Sequence, residues 1–450
     1  MKTCFSLKQS FFVIPFCILL LSTCCLYAGE NTVSNLPEPL TLEYALQLAG
    51  EPHPDIVLSK AEMEQAEAQY LGVESGMGIN ASVVGRAQWV DPPKLAPDQS
   101  HNDSSLSFYV KKKIYDFGKS SLELSAAGTD IKANKLLYMD ALNRRRIEIM
   151  ERFFDVLLAD LEFIRDREAV AVAFYRFQNL QGGNELGLAS NLEFMEAETK
   201  YKEARRKRAV SEARQQIARE LLAEALNRPG MPPVTLAEPL LLDVDRKLPE
   251  VEDLIKEAIF RDPVILSMKE KVEAARERLK AARADGNPVL SAEFEASAYE
   301  REFGSRDRLR AGLILEIPLF TGGRTDSKIA GYTAGRHRLE SHLHRREMDV
   351  RKAVLETWQQ IRVLHFQFEE IESLIKYSDL YLDRSRTIYE QGLRAHLGDA
   401  LVRYSEARLR HAQIRYAIAL AWARLDAMTG KMALETKQES SKQDRGGSNE

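Results

Sequence analysis

Eight histidines are the side chains of this sequence best suited to binding a metal ion or transferring protons. His342 and His344 lie two residues apart in a stretch with helical periodicity, and such positions face different directions. The histidines show no metal-site spacing, and all four cysteines fall within the first 25 residues. We therefore expect no metal site. The histidines are His53, His101, His337, His342, His344, His365, His396 and His411.

Short catalytic motifs are equally scarce. Asp116-Phe117-Gly118 matches the magnesium-binding triplet of protein kinases, but the rest of that signature set is missing. The triplet also joins a strand pattern to a very long helix pattern. Neither a glycine-rich phosphate loop nor a Gly-x-Ser-x-Gly elbow occurs. We expect neither enzyme activity nor a bound cofactor.

Composition excludes two further classes of protein. The 450 residues include 63 Lys and Arg against 67 Asp and Glu, a net charge of −4, so the chain lacks the basic footprint of a nucleic-acid binder. After Leu21 no apolar run approaches the roughly 18 residues that a membrane-spanning helix needs. A polytopic helical membrane protein is therefore excluded.

The first 28 residues have the pattern of an export signal. Lys2 and Lys8 precede an apolar run over residues 11–21, and small residues follow it. Cleavage after Ala28 would leave a mature chain without cysteine. Alternatively, Leu21-Ser22-Thr23-Cys24 resembles a bacterial lipoprotein box, in which Cys24 would carry lipid, although Thr before the cysteine departs from that pattern.

Three pairs of segments indicate that the chain repeats itself. Tyr115-Asp116-Phe117-Gly118-Lys119 has its counterpart in Phe320-Thr321-Gly322-Gly323-Arg324, 205 residues later. Glu185-Leu186-Gly187-Leu188 returns as Glu390-Gln391-Gly392-Leu393 at the same distance, and Pro54 and Pro263 open similar helical stretches 209 residues apart. The order and spacing predict a tandem duplication of units of roughly 200 residues.

Each unit has the same predicted plan. The first repeat, 40–228, contains a helix of about 30 residues from Thr41, a hairpin over 79–115, a long helix over 119–181 and a return helix over 190–227. A proline-rich connector, 229–249, follows. The second repeat, 250–430, contains a helix, a hairpin over 289–319, a long helix over 324–391 and a return helix over 396–429. Residues 431–450 have a disordered composition.

The hairpins alternate apolar and polar residues with period two. Leu309 to Leu319 and Leu290 to Ala298 place aliphatic and small residues on one face and Ser, Glu and Arg on the other. Strands of about ten residues can cross a bilayer at a tilt, yet four strands cannot close a barrel, and open sheet edges are not tolerated in lipid. Three chains would supply twelve strands. An ordinary soluble sheet with one wet face predicts the same alternation.

The long helices carry heptad spacing and therefore favour coiled-coil packing. Apolar residues recur three and four residues apart at 147, 150, 154, 157, 161 and 164, and again at 361, 364, 368, 371 and 375. The sequence thus predicts a mainly α-helical protein with a small β part. Its antiparallel coiled-coil helices would come from a tandem duplication, with one β-hairpin per repeat.

Over residues 40–431 the chain resembles the TolC-like outer-membrane efflux protein family. The resemblance rests on Leu40-Thr41-Leu42-Glu43-Tyr44, the two turn motifs that begin at Tyr115 and Phe320, the two Gly-Leu turns and the duplicated layout. It implies a homotrimer with a twelve-stranded outer-membrane β-barrel that continues as an α-helical periplasmic tunnel. Such a trimer would be a passive exit duct for tripartite efflux or type I secretion. Its partners would be outer-membrane lipid, a periplasmic adaptor and an inner-membrane pump.

The resemblance also implies an aperture near the turns into the return helices, where acidic residues form rings. Glu193, Glu196 and Asp399 occupy the matching segments. Helix capping is an alternative role, because Ser190 and Glu193 have capping-box spacing and acids are favoured in a first helical turn. The repeat turn motifs contribute Tyr115, Asp116, Phe117, Gly118, Phe320, Gly322 and Gly323.

Other interpretations stay open at this point. Lys111-Lys112-Lys113 would contact lipid headgroups or the channel wall, or would simply be a solvated strand end. Trp89 would be an interfacial anchor or a large residue in a loop. An exported periplasmic coiled-coil structural or adaptor protein without a pore is the alternative function. Such an adaptor has no evident use for two hairpins of membrane-spanning length.

Overall fold

A computed structural model describes residues 36–185, 190–240, 246–301, 306–391 and 396–432. The predicted signal 1–28 with Cys24 lies outside these residues, as do most of the tail 431–450 and the two Gly-Leu turns. The described elements are α1 (Leu42–Gln47), α2 (Pro54–Ser75), β1 (Ile79–Arg86), β2 (Ser105–Tyr115), α3 (Lys119–Glu185), α4 (Asn191–Ala225), α5 (Val251–Arg261), α6 (Pro263–Arg283), β3 (Val289–Tyr299), β4 (Leu309–Glu316), α7 (Arg324–Glu390) and α8 (Leu397–Met428).

The order of the elements occurs twice along the chain. Two helices, two strands, a helix of 67 residues and a shorter return helix are followed by the same series. The origin of this order in a tandem duplication stays a prediction. None of the described helices is both long enough and apolar enough to cross a membrane.

The prediction of one helix of about 30 residues at the start of each repeat is wrong. Two shorter helices occupy each of these segments. Proline lacks the N–H that a helix interior requires, and it is favoured in the first helical turn. Pro54 and Pro263 therefore begin new helices, α2 and α6. The residues before them cap these helices: His53 Nδ1 accepts from Asp55 N at 3.3 Å, and Asp262 Oδ1 accepts from Ile265 N at 2.8 Å.

Helices α3 and α7 are each about 100 Å long at 1.5 Å per residue. Three of the five predicted seam residues of α7, Ile361, Leu364 and Ile371, are buried, whereas Phe368 and Ile375 are half-buried. The buried residues of α7 are Val350, Val354, Thr357, Ile361, Leu364, Ile371, Ser378, Leu382 and Ser385. Helix α3 differs: Phe154 is buried, but the other predicted seam residues are half-buried. Because α3 packs against α2, α4, α6 and α8, its burial extends over several sides instead of one stripe.

One hydrophobic core joins α5, α6, α7 and α8. Trp422 is its largest side chain and is 1% exposed, among Leu254, Ile265, Val354 and Ile361. The Arg246 guanidinium covers the Trp422 ring at 4.1 Å and donates to both carboxylate oxygens of Asp426 at 2.6 and 2.8 Å. These contacts tie the end of the connector to α8.

The four strands form one antiparallel sheet in the order β1-β2-β3-β4. Strand β4 ends at Glu316, earlier than the predicted Leu319, because Pro318 has no N–H to donate. Strand β1 ends at Arg86, and Trp89 forms only an isolated bridge with Asn102. A bulge between Lys113 and Tyr115 interrupts the pairing of β2 with β3.

Candidate functional site: the sheet and the helix tips

The strand pairing collects the apolar residues of both hairpins on one continuous face. Paired residues of neighbouring strands point to the same side of a sheet, and successive residues alternate. Several of these side chains are exposed by more than 60%, a patch typical of an interaction or membrane surface. The residues on this face are Ile79, Ala81, Val83, Gly85, Leu106, Phe108, Val110, Lys112, Tyr115, Leu290, Ala292, Phe294, Ala296, Ala298, Leu309, Ala311, Leu313 and Leu315.

The opposite face carries most of the polar side chains, and these bond to one another across strands. Lys111 Nζ lies 2.7 Å from Glu293 Oε1, and Ser297 Oγ donates to Ser107 Oγ at 2.8 Å. Arg310 lies 3.7 Å from Glu295. One face of the sheet therefore fits lipid and the other fits water.

Two edges of this sheet are unpaired. Within the described residues, β1 and β4 each have a neighbouring strand on one side only. Unpaired backbone N–H and C=O groups cost several kcal/mol each in hydrocarbon, on the order of the cost of burying an amide without a partner. An apolar sheet of this kind requires further strands at both edges before it can lie in a bilayer.

The two turn motifs lead from the sheet into the long helices by the same backbone geometry. Phe117 and Gly118 have φ of 54° and 87°, and Gly322 and Gly323, at the matching positions, have 60° and 79°. Glycine adopts this left-handed region without a steric penalty. In the first motif the Tyr115 and Phe117 rings lie 4.8 Å apart.

Asp116 fixes the start of α3 within the first motif. Its carboxylate accepts from Ser120 N at 3.0 Å and from the Ser120 hydroxyl, and Lys113 Nζ lies 3.4 Å away. Burial raises the pKa of Asp116, but the hydrogen bonds from Ser120 and the charge of Lys113 outweigh it and lower the pKa below its ordinary value. In the second motif Thr321 and Thr325 place their hydroxyls 3.2 Å apart at the matching positions.

A carboxylate just before β3 binds both long helices. Asp285 Oδ1 lies 2.5 Å from Lys119 Nζ in the first turn of α3, and its Oδ2 lies 2.5 Å from Lys328 Nζ in α7. Nothing in the spacing of Lys119, Asp285 and Lys328 indicated this contact. It fastens the starts of α3 and α7 to each other beside the sheet.

The loops at the other end of the strands are joined as well. Arg306 donates to both oxygens of Asp103 at 2.7 and 3.2 Å, and Arg301 donates to the Asp98 carbonyl at 2.7 Å. Trp89 is 72% exposed and stacks on His101 with the ring centroids 5.2 Å apart. An exposed indole that stacks on a neighbouring ring is consistent with both interpretations of Trp89, an interfacial anchor and a large residue in a loop.

Glu193 and Glu196 lie in the first turns of α4 and have local partners. Ser190 and Glu193 form the expected capping box: Leu192 N donates to Ser190 Oγ at 3.1 Å, and Ser190 N donates to Glu193 Oε2 at 3.1 Å. Glu196 accepts from Lys200, and this hydrogen bond lowers the pKa of Glu196. The local structure thus gives Glu193 the capping role.

Asp399 has partners beyond its own helix. Its Oδ2 lies 3.3 Å from Arg176 Nη2 on α3 and 3.6 Å from His396 Nδ1. Arg176 is 223 residues away in sequence, and no local pattern pointed to it. Arg176, Lys200, Asp399 and Arg403 are the charged residues around a cavity of 330 Å³ where α3, α4 and α8 approach one another. No cluster of three metal-binding side chains occurs in the described ranges.

Solved structures with this fold are outer-membrane channels or membrane proteins. A membrane protein from Pseudomonas aeruginosa is 20% identical, covers 86% of this chain and 93% of its own, and has a TM-score of 0.71. The CmeC outer membrane channel of Campylobacter jejuni is 15% identical, with coverages of 86% and 85% and a TM-score of 0.71. The open MtrE outer membrane channel of Neisseria gonorrhoeae is 16% identical, with coverages of 86% and 88% and a TM-score of 0.64.

The fold is therefore that of outer-membrane channels. Residues 254–431 match the family model described as outer membrane efflux protein. The predicted resemblance to TolC-like efflux proteins is confirmed, and both findings agree with the predicted outer-membrane localisation. No curated protein sequence matches the chain.

Proposed function

We propose that three copies of this chain form a channel through the outer membrane. The supporting observation is the sheet, whose one face is apolar and whose edge strands β1 and β4 lack partners on their outer sides within the described residues. Edge β4 of one copy would pair with edge β1 of the next, and twelve strands would close a barrel. Closure removes the free edges that a bilayer excludes.

The long helices would continue the barrel as a tunnel across the periplasm. The channel would serve passively as the exit duct of a tripartite efflux or type I secretion system, with an adaptor and an inner-membrane pump as partners. The family match over 254–431 and the likeness to the CmeC and MtrE channels support this role. A periplasmic adaptor without a pore accounts less well for an apolar sheet face.

Single-channel recording in planar bilayers tests the pore. We expect the detergent-purified protein to be a trimer that conducts ions in discrete steps. A trimer that inserts into vesicles without conductance would contradict the exit-duct proposal. A chain that stays in the soluble periplasmic fraction after lysis without detergent would favour the adaptor alternative.

We also propose that the helix tips form the narrow periplasmic aperture, with Asp399 rather than Glu193 as the acid that controls it. Asp399 joins α8 to α3 through Arg176, whereas Glu193 is engaged in capping its own helix. Loss of the Arg176–Asp399 contact would let the two helices separate. Asp399→Asn is therefore expected to raise single-channel conductance.

Asp383→Asn is the matched control for this variant. Asp383 forms an exposed pair with Arg386 at 3.8 Å within α7 alone, so its loss removes one carboxylate without freeing one helix from another. Its conductance should stay at the wild-type value. Equal conductance for Asp399→Asn and wild type would remove Asp399 from the aperture while leaving the pore itself intact.

A further inference from the structure

Lys112 is anomalous in its position on the sheet. It pairs with Ile79 on β1 and Ala292 on β3 and therefore lies on the apolar face. Among the strand residues that the structure describes, it is the one charged side chain on that face. It is exposed, and within the described chain it has neither an ion-pair nor a hydrogen-bond partner.

Its two lysine neighbours show that the sequence run Lys111-Lys112-Lys113 is not one uniform feature. Lys111 pairs with Glu293 on the polar face, and Lys113 Nζ donates to Ser120 Oγ at 2.9 Å. Both charges are thus satisfied within the chain. Lys112 has no such partner among the described residues, and it lies on the side of the sheet that fits lipid.

The position along the strand sets the depth of this charge. Lys112 lies three residues before the end of β2 at Tyr115. It is therefore close to the turn that leads into α3, which would lie in water. A lysine side chain is long enough to lie along apolar surface and bring its ammonium group to the interface. Tyr115, Phe117 and Phe320 are 55%, 49% and 90% exposed near the same end of the strands. Exposed aromatic rings at the strand ends are typical of the bilayer interface.

We propose that Lys112 binds the phosphate of an anionic phospholipid in the periplasmic leaflet of the outer membrane. The aromatic residues flank the headgroup, and the adjacent apolar face contacts the acyl chains. Each subunit of the trimer supplies one such site. The inference rests on the proposed membrane insertion of the sheet, and it assigns the lipid contact to a single side chain.

Reconstitution into vesicles of defined composition tests the site. The thermal stability and lipid retention of the wild-type trimer are compared in pure phosphatidylcholine and in phosphatidylcholine with phosphatidylglycerol. Native mass spectrometry then counts the phosphatidylglycerol molecules that remain on the trimer. We expect retention in wild type and about fivefold weaker retention per site in Lys112→Gln at low salt.

Lys111→Gln and Lys112→Arg complete the series. Lys111→Gln removes the same charge one residue away on the opposite face, and it should retain phosphatidylglycerol like wild type. Lys112→Arg keeps the charge and should also retain it. Equal retention by Lys112→Gln and wild type would overturn the lipid site while leaving the channel proposal standing. A wild-type protein that fails to insert into either vesicle would instead count against the channel.

Discussion

Gly398 lies so close to Val172 that a Cβ at residue 398 would come within 2.7 Å of the Val172 Cγ2 atom. Gly398 is in the first turn of α8, and Val172 lies on α3 beside the proposed aperture. The absence of a side chain at 398 allows these two helices to meet next to the Arg176–Asp399 contact. The close approach of Val172, and not a positive φ, is what requires glycine at this position.

Gly398→Ala is therefore expected to force α8 away from α3. Overpacking of this kind costs about 1–3 kcal/mol, and the separation should also raise single-channel conductance. Gly331→Ala on α7 is the control, because a Cβ there meets nothing within 4 Å. That control should instead stabilise the protein by about 0.5–1 kcal/mol. Thermal melting and bilayer recording measure the two effects, and similar values for both variants would refute the packing argument.

Phe108 and Tyr109 allow the orientation of the sheet to be tested with one pair of variants. They are neighbours on β2 with exposures of 40% and 39%, but Phe108 lies on the apolar face and Tyr109 on the polar face. Phe108→Arg should destabilise the folded protein in lipid by about 2–4 kcal/mol if the site is near the midplane of the bilayer. Tyr109→Arg should cost much less. Urea titration in vesicles gives both values, and equal costs would contradict a lipid-facing apolar side.

The ion pairs of Asp285 are expected to make the folded protein less stable in acid. Burial raises its pKa, but the hydrogen bonds from Lys119 and Lys328 outweigh burial and lower the pKa below 3.8. The contribution of this carboxylate is therefore complete above that pH and is lost as the pH falls through the lowered pKa. Asp285→Asn should cost about 1–2 kcal/mol at neutral pH and should flatten the acid dependence. Melting curves in detergent over this range check the slope, and an unchanged slope in the variant would exclude Asp285 as its source.

Titration of His53 is expected to make the stability of the folded protein depend on pH nearer neutrality. Burial and the nearby Arg145 lower the pKa of His53 below 6.5, and its unprotonated Nδ1 caps α2. The unfolded chain therefore takes up the proton more readily, so stability declines as the pH falls from 6.5 through the lowered pKa. His53→Ser replaces the Nδ1 acceptor of the cap with a hydroxyl oxygen that does not titrate in this range. It should remove the decline, which thermal melting between about pH 7.5 and about pH 5 detects.

The strands and long helices were accessible from sequence because each depends on a local period. Alternation placed the four strands within a few residues of their observed bounds, and heptad spacing gave most of the buried seam of α7. Pro54 was predicted to open a helical stretch, yet one helix was also predicted from Thr41 across it, and the structure has two helices there. The seam of α3 was incomplete because several helices surround it, which no period within α3 can reveal.

The charged contacts of the site depend on tertiary structure and were not predictable in the same way. Arg176 meets Asp399 across 223 residues, and Asp285 meets Lys119 across most of a repeat. Capping of α4 by Ser190 and Glu193 was predictable, because it requires only residues three apart. The predicted capping by Glu193 is therefore present, its role in an aperture stays a prediction, and the partner of Asp399 comes from another helix.

The ion pairs of Asp285 with both Lys119 and Lys328 restrict how the two long helices can move. Two helices held together at one end cannot move apart there, so in the proposed channel an opening movement would be greatest at the other end, where it would break the Arg176–Asp399 contact. The fixed ends of α3 and α7 would lie beside the sheet, and the largest displacement would occur where α3 and α8 meet.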